Sequence, residues 1–106
     1  MSGENGIHVA DSAGLQVEGN TVYDNRGNGI FVAEQDTDGA LVRSNTVNHN
    51  GDDGIHSDSA LLTITQNITE HNADFGIDAI TGVTDGGGNK AVTNGNLAQC
   101  VGVVCI

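Results

Sequence analysis

Apolar and polar positions alternate with a period of two in short runs, and the runs recur along the chain. Ile7 and Val9 flank His8, Ile30 and Val32 flank Phe31, Ile55 and Ser57 flank His56, and Ile77 and Ala79 flank Asp78. Such alternation predicts short strands with one buried face. A second set of runs, Leu15 with Val17, Ala40 with Val42 and Leu62 with Ile64, predicts a strand ahead of an Asn. A third strand is predicted behind that Asn, with Val22, Val47, Thr69 and Ala91 two residues on.

The Asn residues set the frame. Asn20, Asn45, Asn67 and Asn89 are separated by 25, 22 and 22 residues, and the Gly-Ile pairs opening at Gly6, Gly29, Gly54 and Gly76 by 23, 25 and 22. Self-similarity at this period signals a solenoid whose repeats bury their faces against their neighbours. A helical solenoid would need a 3.6-residue apolar rhythm, which the chain lacks. Three short strands per repeat instead predict one coil of a parallel β-helix, with equivalent residues stacked about 4.8 Å apart. Asn tolerates left-handed backbone at a corner, and its amide both donates and accepts. Asn20, Asn45, Asn67 and Asn89 should therefore form one hydrogen-bonded ladder, with Asn25, Asn50, Asn72 and Asn94 at a second corner. The longest insert, Ala33 to Gly39, should bulge from the stack.

Composition narrows the partners. The 106 residues include 16 Gly, no Pro, and only Tyr23, Phe31 and Phe75 as aromatics, so the core must be thin. Fourteen acidic residues stand against Arg26, Arg43 and Lys90, a formal charge of −11. That field repels phosphate, which argues against nucleic acid as a partner. No apolar run approaches the 18 or so residues of a membrane span, and the first residues lack the regions of a signal peptide.

The frame Asn-x-[Val/Ile]-x-x-Asn-x-x-x-Gly-Ile-x-[Val/Ala] resembles the right-handed parallel β-helix repeat of pectate-lyase-like proteins, over roughly residues 5–97. Polysaccharide lyases, polygalacturonases, carbohydrate epimerases and periplasmic metal-processing accessory proteins share that scaffold, so the resemblance implies a fold and a range of activities. The stretch from Asp85 through Asn94 to Cys105 is similar to the C-terminal finish of secreted bacterial β-helix proteins. That resemblance implies a disulfide between Cys100 and Cys105 closing the stack, hence an oxidising compartment. The expected organisation is about four coils over 1–97 and a capping segment over 98–106. The N-terminal cap of the family has no counterpart here, so further coils are expected N-terminal to Met1, in a secreted or periplasmic parent.

Outward residues carry the candidate chemistry. His8, Phe31, His56 and Asp78 should form one column, the third and fourth coils adding Asp52, Asp53, Asp58 and Asp74. In family enzymes such columns line the polysaccharide groove. Asp53, His56 and Asp78 are the candidate catalytic or cation-binding cluster, with His56 as a base near neutral pH, and His8, Phe31, Asp58 and Asp74 the candidate substrate contacts. Asp52 and Asp53 also suit a turn before Gly. They are similar to the aspartate pair of polygalacturonases, but the matching Asn-Thr-Asp, His-Gly and Arg-x-Lys are missing. A second column, Asp24, His49 and His71, offers ligands for a transition metal. Asp11, Glu34, Asp36 and Asp38 around the insert offer oxygens for Ca²⁺. Asn67-Ile68-Thr69 fits a glycosylation sequon, yet Asn67 belongs to the buried ladder.

Three functions follow. The first is a non-catalytic structural or carbohydrate-binding segment, the second the C-terminal part of a polysaccharide lyase, glycoside hydrolase or epimerase, and the third a metal-handling module. Scarce Arg and Lys weigh against lyase chemistry, and scarce aromatics against sugar stacking.

Overall fold

The computed structural model describes residues 5–10, 13–34 and 38–106. Among these, the chain forms thirteen strands and no helix. They are β1 (Ile7–Val9), β2 (Gln16–Glu18), β3 (Thr21–Tyr23), β4 (Ile30–Val32), β5 (Ala40–Arg43), β6 (Thr46–Asn48), β7 (Ile55–Ser57), β8 (Leu62–Thr65), β9 (Ile68–Glu70), β10 (Ile77–Ala79), β11 (Thr84–Gly87), β12 (Lys90–Val92) and β13 (Cys100–Val101). Each coil contributes one strand to each of three parallel sheets, ordered β1-β4-β7-β10-β13, β11-β8-β5-β2 and β12-β9-β6-β3. This is a parallel β-helix of about four turns.

Register follows the repeat. Ile7 pairs with Ile30, Ile30 with Ile55, Ile55 with Ile77 and Ile77 with Cys100. Val17 aligns with Val42 and then Ile64, and Val22 with Val47 and then Thr69. The core is this file of stacked rows: Ile30, Ile55, Ile64, Ile77, Val32, Val42 and Val47 are fully buried. The Gly of each Gly-Ile pair serves close approach between coils. A Cβ on Gly29 would lie 2.3 Å from Val47 Cγ1 and 2.8 Å from Asn50 Nδ2, so the row behind it could not close.

Both Asn ladders form, and they have a direction. Asn20 Nδ2 donates to Asn45 Oδ1 at 3.1 Å, Asn45 Nδ2 to Asn67 Oδ1 at 3.0 Å, and Asn67 Nδ2 to Asn89 Oδ1 at 3.1 Å. The same oxygens also accept the backbone N–H of the preceding rung. At the second corner, Asn25, Asn50 and Asn72 each donate to the next rung at 2.9 Å. Asn94, the last Asn, donates at 2.9 Å to Gln99 Oε1, which replaces a fifth rung. Spare amide protons reach strand carbonyls, as Asn67 Nδ2 does to Val42 O at 3.0 Å. Among the described residues no buried side-chain N or O lacks a partner, which is how a thin core tolerates so many buried amides.

The expectation that these Asn adopt left-handed backbone is corrected. The residue before each one does: Asp24, Ser44, His49, Gln66, His71 and Thr93 have φ of 55–58°, and Gly19 and Gly88 complete the set. Turning the chain one residue early leaves the Asn itself in an ordinary conformation with its amide swung onto the stack. Left-handed backbone costs a non-Gly residue roughly 1–2 kcal/mol, and the bonds made by each following Asn offset it.

Two strands lie where alternation gave no signal. Thr84–Gly87 pairs with β8 although it carries no large apolar residue, through a bulge between Asp85 and Gly87. A Cβ on Gly86 would sit 2.6 Å from Thr65 Cβ, so glycine is what lets this strand close on its neighbour. Strand β13 adds a fifth strand to the first sheet, and Cys100 is disulfide-bonded to Cys105. Asp85 fastens the tail: its Oδ2 accepts Val104 N–H at 2.8 Å and its Oδ1 accepts Gly87 N–H at 2.9 Å, bonds that hold its carboxyl below the usual range. The predicted bulge over Ala33 to Gly39 falls in part on residues 35–37, outside the described residues.

Candidate functional site

The outward column is assembled as expected on the first sheet. His8 pairs in register with Phe31, Phe31 with His56, and His56 with Asp78. The rings touch: His8 meets Phe31 edge to face at 5.1 Å, and Phe31 stacks on His56 at 5.6 Å with planes 22° apart. Stacking within the row uses a face of Phe31, so its edge rather than its full face is offered outward.

His56 is the centre of the site. Its Nδ1 lies 2.8 Å from Asp53 Oδ2 and 3.5 Å from Asp78 Oδ2, and its Nε2 lies 2.9 Å from Asp58 Oδ1. The hydrogen bond to Asp53, then the bond and charge of Asp58, outweigh partial burial and raise the imidazole to about 9. At neutral pH the ring is an imidazolium with both nitrogens engaged. The expected role as a neutral-pH base does not fit this environment, because two adjacent carboxylates stabilise the protonated form.

Asp53 is the buried member, 3% exposed. Its position explains its burial. Asn5, Asn28, Asp53 and Phe75 each precede the Gly of a Gly-Ile pair, and they form a third inter-coil file that the sequence reading missed. Asn5 Oδ1 accepts Asn28 N–H at 3.0 Å, Asn28 Oδ1 accepts Asp53 N–H at 3.0 Å, and Asp53 Oδ1 accepts Phe75 N–H at 2.9 Å. The scaffold thus uses only Oδ1, which an Asn supplies equally well. Oδ2, the atom by which Asp differs from Asn, is the one facing His56. The signal was present as Asn, Asn, Asp at the position before Gly.

The remaining carboxylates surround this pair. Burial, then the charge on Asp53, raise the Asp78 carboxyl; burial, then the charges on Asp53 and Asp74, raise Asp52. Asp52, Asp53 and Asp74 bring carboxylate oxygens within 4.8 Å of one another, as do the ligand atoms of Asp53, His56 and Asp78. Asp74 Oδ1 accepts Asn96 Nδ2 at 3.1 Å. Of the basic residues, Arg43 pairs with Glu18 at 3.5 Å on the second sheet.

The other metal candidates are not assembled. His49 and His71 stack with ring centres 5.1 Å apart and planes 9° apart, and His49 Nδ1 meets Asn48 Oδ1 at 2.8 Å. Asp24 lines the same shallow groove, but these three do not bring three ligand atoms within 4.8 Å of one another. Their left-handed corner backbone sets the rings parallel along the stack rather than convergent. Of the Ca²⁺ candidates, Asp11 and Asp36 lie outside the described residues, while Glu34 and Asp38 are exposed. No helix among the described residues is long and apolar enough to cross a membrane.

Comparison with known proteins agrees with the architecture. No curated protein and no solved structure matches the chain. A family model described as right handed beta helix region matches residues 2–100. Together with the three parallel sheets and the buried Asn ladders, that match over nearly the whole chain makes this protein a member of the right-handed β-helix family.

Proposed function

We propose that the chain is a non-catalytic β-helix segment of a secreted or periplasmic bacterial protein, presenting the outward face of its first sheet to carbohydrate. The observation that carries this reading is the row of partly exposed carboxylates, Asp58, Asp74 and Asp78, beside the rings of His8, Phe31 and His56. A carboxylate accepts two hydroxyl donors at once, so the face suits the vicinal hydroxyls of a sugar by hydrogen bonding more than by ring stacking. A formal charge of −11 favours a neutral glycan over a uronate. The disulfide supports the compartment.

Against catalysis stands the state of His56, a protonated ring locked between carboxylates, and among the described residues no Arg or Lys forms an ion pair with these carboxylates. The test is affinity electrophoresis and calorimetry with neutral oligosaccharides, alongside reducing-sugar and unsaturated-product assays. Binding without turnover, weakened at least tenfold by Asp58→Ala, is the expected result. Turnover would install the lyase, hydrolase or epimerase reading; absence of both binding and turnover would leave a purely structural segment.

A further inference from the structure

We propose that His56 Nδ1, Asp53 Oδ2 and Asp78 Oδ2 form a binding site for one divalent transition-metal ion of borderline softness, such as Zn²⁺, with Asp58 as its outer positioning residue. The inference does not depend on whether the face binds carbohydrate. Three ligand atoms converge from two adjacent coils, with Nδ1 at 2.8 Å from one carboxylate oxygen and 3.5 Å from the other. Metal–ligand bonds of about 2.0–2.1 Å place neighbouring ligands about 2.9–3.4 Å apart, so small side-chain movements suffice to receive the ion.

The surroundings of the triad point the same way, independently of its charge. A metal-bound imidazole usually donates its other N–H to a carboxylate, and ligating carboxylates are themselves hydrogen-bonded. Both features are in place. His56 Nε2 meets Asp58 Oδ1 at 2.9 Å, and the non-facing oxygen of Asp53 is fixed by Phe75 N–H at 2.9 Å. Asp53 also departs from the Asn of the first two coils only in the oxygen that the ion would take. One imidazole nitrogen and two carboxylates suit Zn²⁺, Co²⁺ or Mn²⁺, whereas Ca²⁺ takes six to eight oxygens. Three protein ligands leave positions for water or for a sugar hydroxyl. Binding displaces the Nδ1 proton to solvent, one proton per ion when His56 starts protonated.

The test uses the whole chain, stripped with chelator, titrated at neutral pH with Zn²⁺ alone and with Co²⁺ alone. Calorimetry should give one ion per chain with proton release that scales with buffer ionisation heat, and Co²⁺ should develop ligand-field bands. Asp53→Asn keeps the oxygen that Phe75 needs, so it should fold, shown by an unchanged β-sheet circular dichroism spectrum, and bind at least tenfold more weakly. Asp78→Asn should do the same, and Asp58→Asn should weaken binding about 10–100-fold while shifting the Co²⁺ bands. The double variant His49→Ala, His71→Ala should bind as the parent does. Absence of heat and of Co²⁺ bands in the parent overturns the proposal, as does binding that survives Asp53→Asn and Asp78→Asn or that vanishes with the His49 and His71 substitutions.

Discussion

Asn28 and Asp53 hold the same station in successive coils, and Asn28 Oδ1 accepts the backbone N–H of Asp53 at 3.0 Å. Asp53 passes the arrangement on through Oδ1 to Phe75 and turns its second oxygen to His56. One carboxylate therefore divides its work between scaffold and site.

The division predicts unequal costs. Asp53→Asn should lower stability much less than Asp53→Ala, because only the alanine leaves the Phe75 N–H without its acceptor. A gap of about 1–3 kcal/mol, the usual penalty for an unsatisfied buried group, should separate the two in urea unfolding.

The imidazolium predicts a pH dependence in metal-free protein. His56 is raised from 6.5 to about 9 on folding, so its contribution is fully present below about pH 6.5 and is lost as pH rises through about 9. The loss should be on the order of 2 kcal/mol after allowance for solvent screening. Nuclear magnetic resonance of the His56 ring protons should find a midpoint near 9, and Asp53→Asn should move it down.

Ladder position should govern sensitivity to Asn substitution. Asn67→Ala removes the acceptor of both Asn45 N–H and Asn45 Nδ2 in a fully buried place, and should cost about 3–5 kcal/mol. Asn20→Ala, at the more exposed start of the ladder, should cost about 1 kcal/mol. Thermal melts of the two variants check the order.

Much of this was legible because a solenoid repeats its instructions. Asn45 could be compared with Asn20 and Asn67, and Ile55 with Ile30 and Ile77, so scaffold separated from variable residues without any alignment. The column His8, Phe31, His56 and Asp78 could be placed for the same reason, since alternation fixes which side chains face outward. What escaped lacked either a repeat or an apolar signal. Thr84–Gly87 is a strand through contact of Gly86 with Thr65, and Gln99 completes a ladder as a different residue type. The state of His56 depends on how three carboxylates reach one ring, which spacing alone does not fix.

Reduction of the Cys100–Cys105 disulfide should act locally. A loop this short contributes roughly 2 kcal/mol in the chain-entropy account, and it holds the segment carrying Gln99 against Asn94. Hydrogen exchange in reducing buffer should quicken first at Asn94 and in β10 and β12, while Val42, Val47 and Ile55 keep their protection.

The head-to-tail sense of the Asn ladders has an evolutionary corollary. Because each rung meets only the rung before and the rung after, the chain is modular in whole coils. Excising 22 residues from Asn45 to Gln66 would bring Asn20 onto Asn67 and restore both ladders, whereas removing 21, from Asn45 to Thr65, would set Gln66 against Asn20 and His71 against Asn25. Such a protein can change its height by duplication or loss of single turns, carrying any site that spans two turns with it or splitting it cleanly in half.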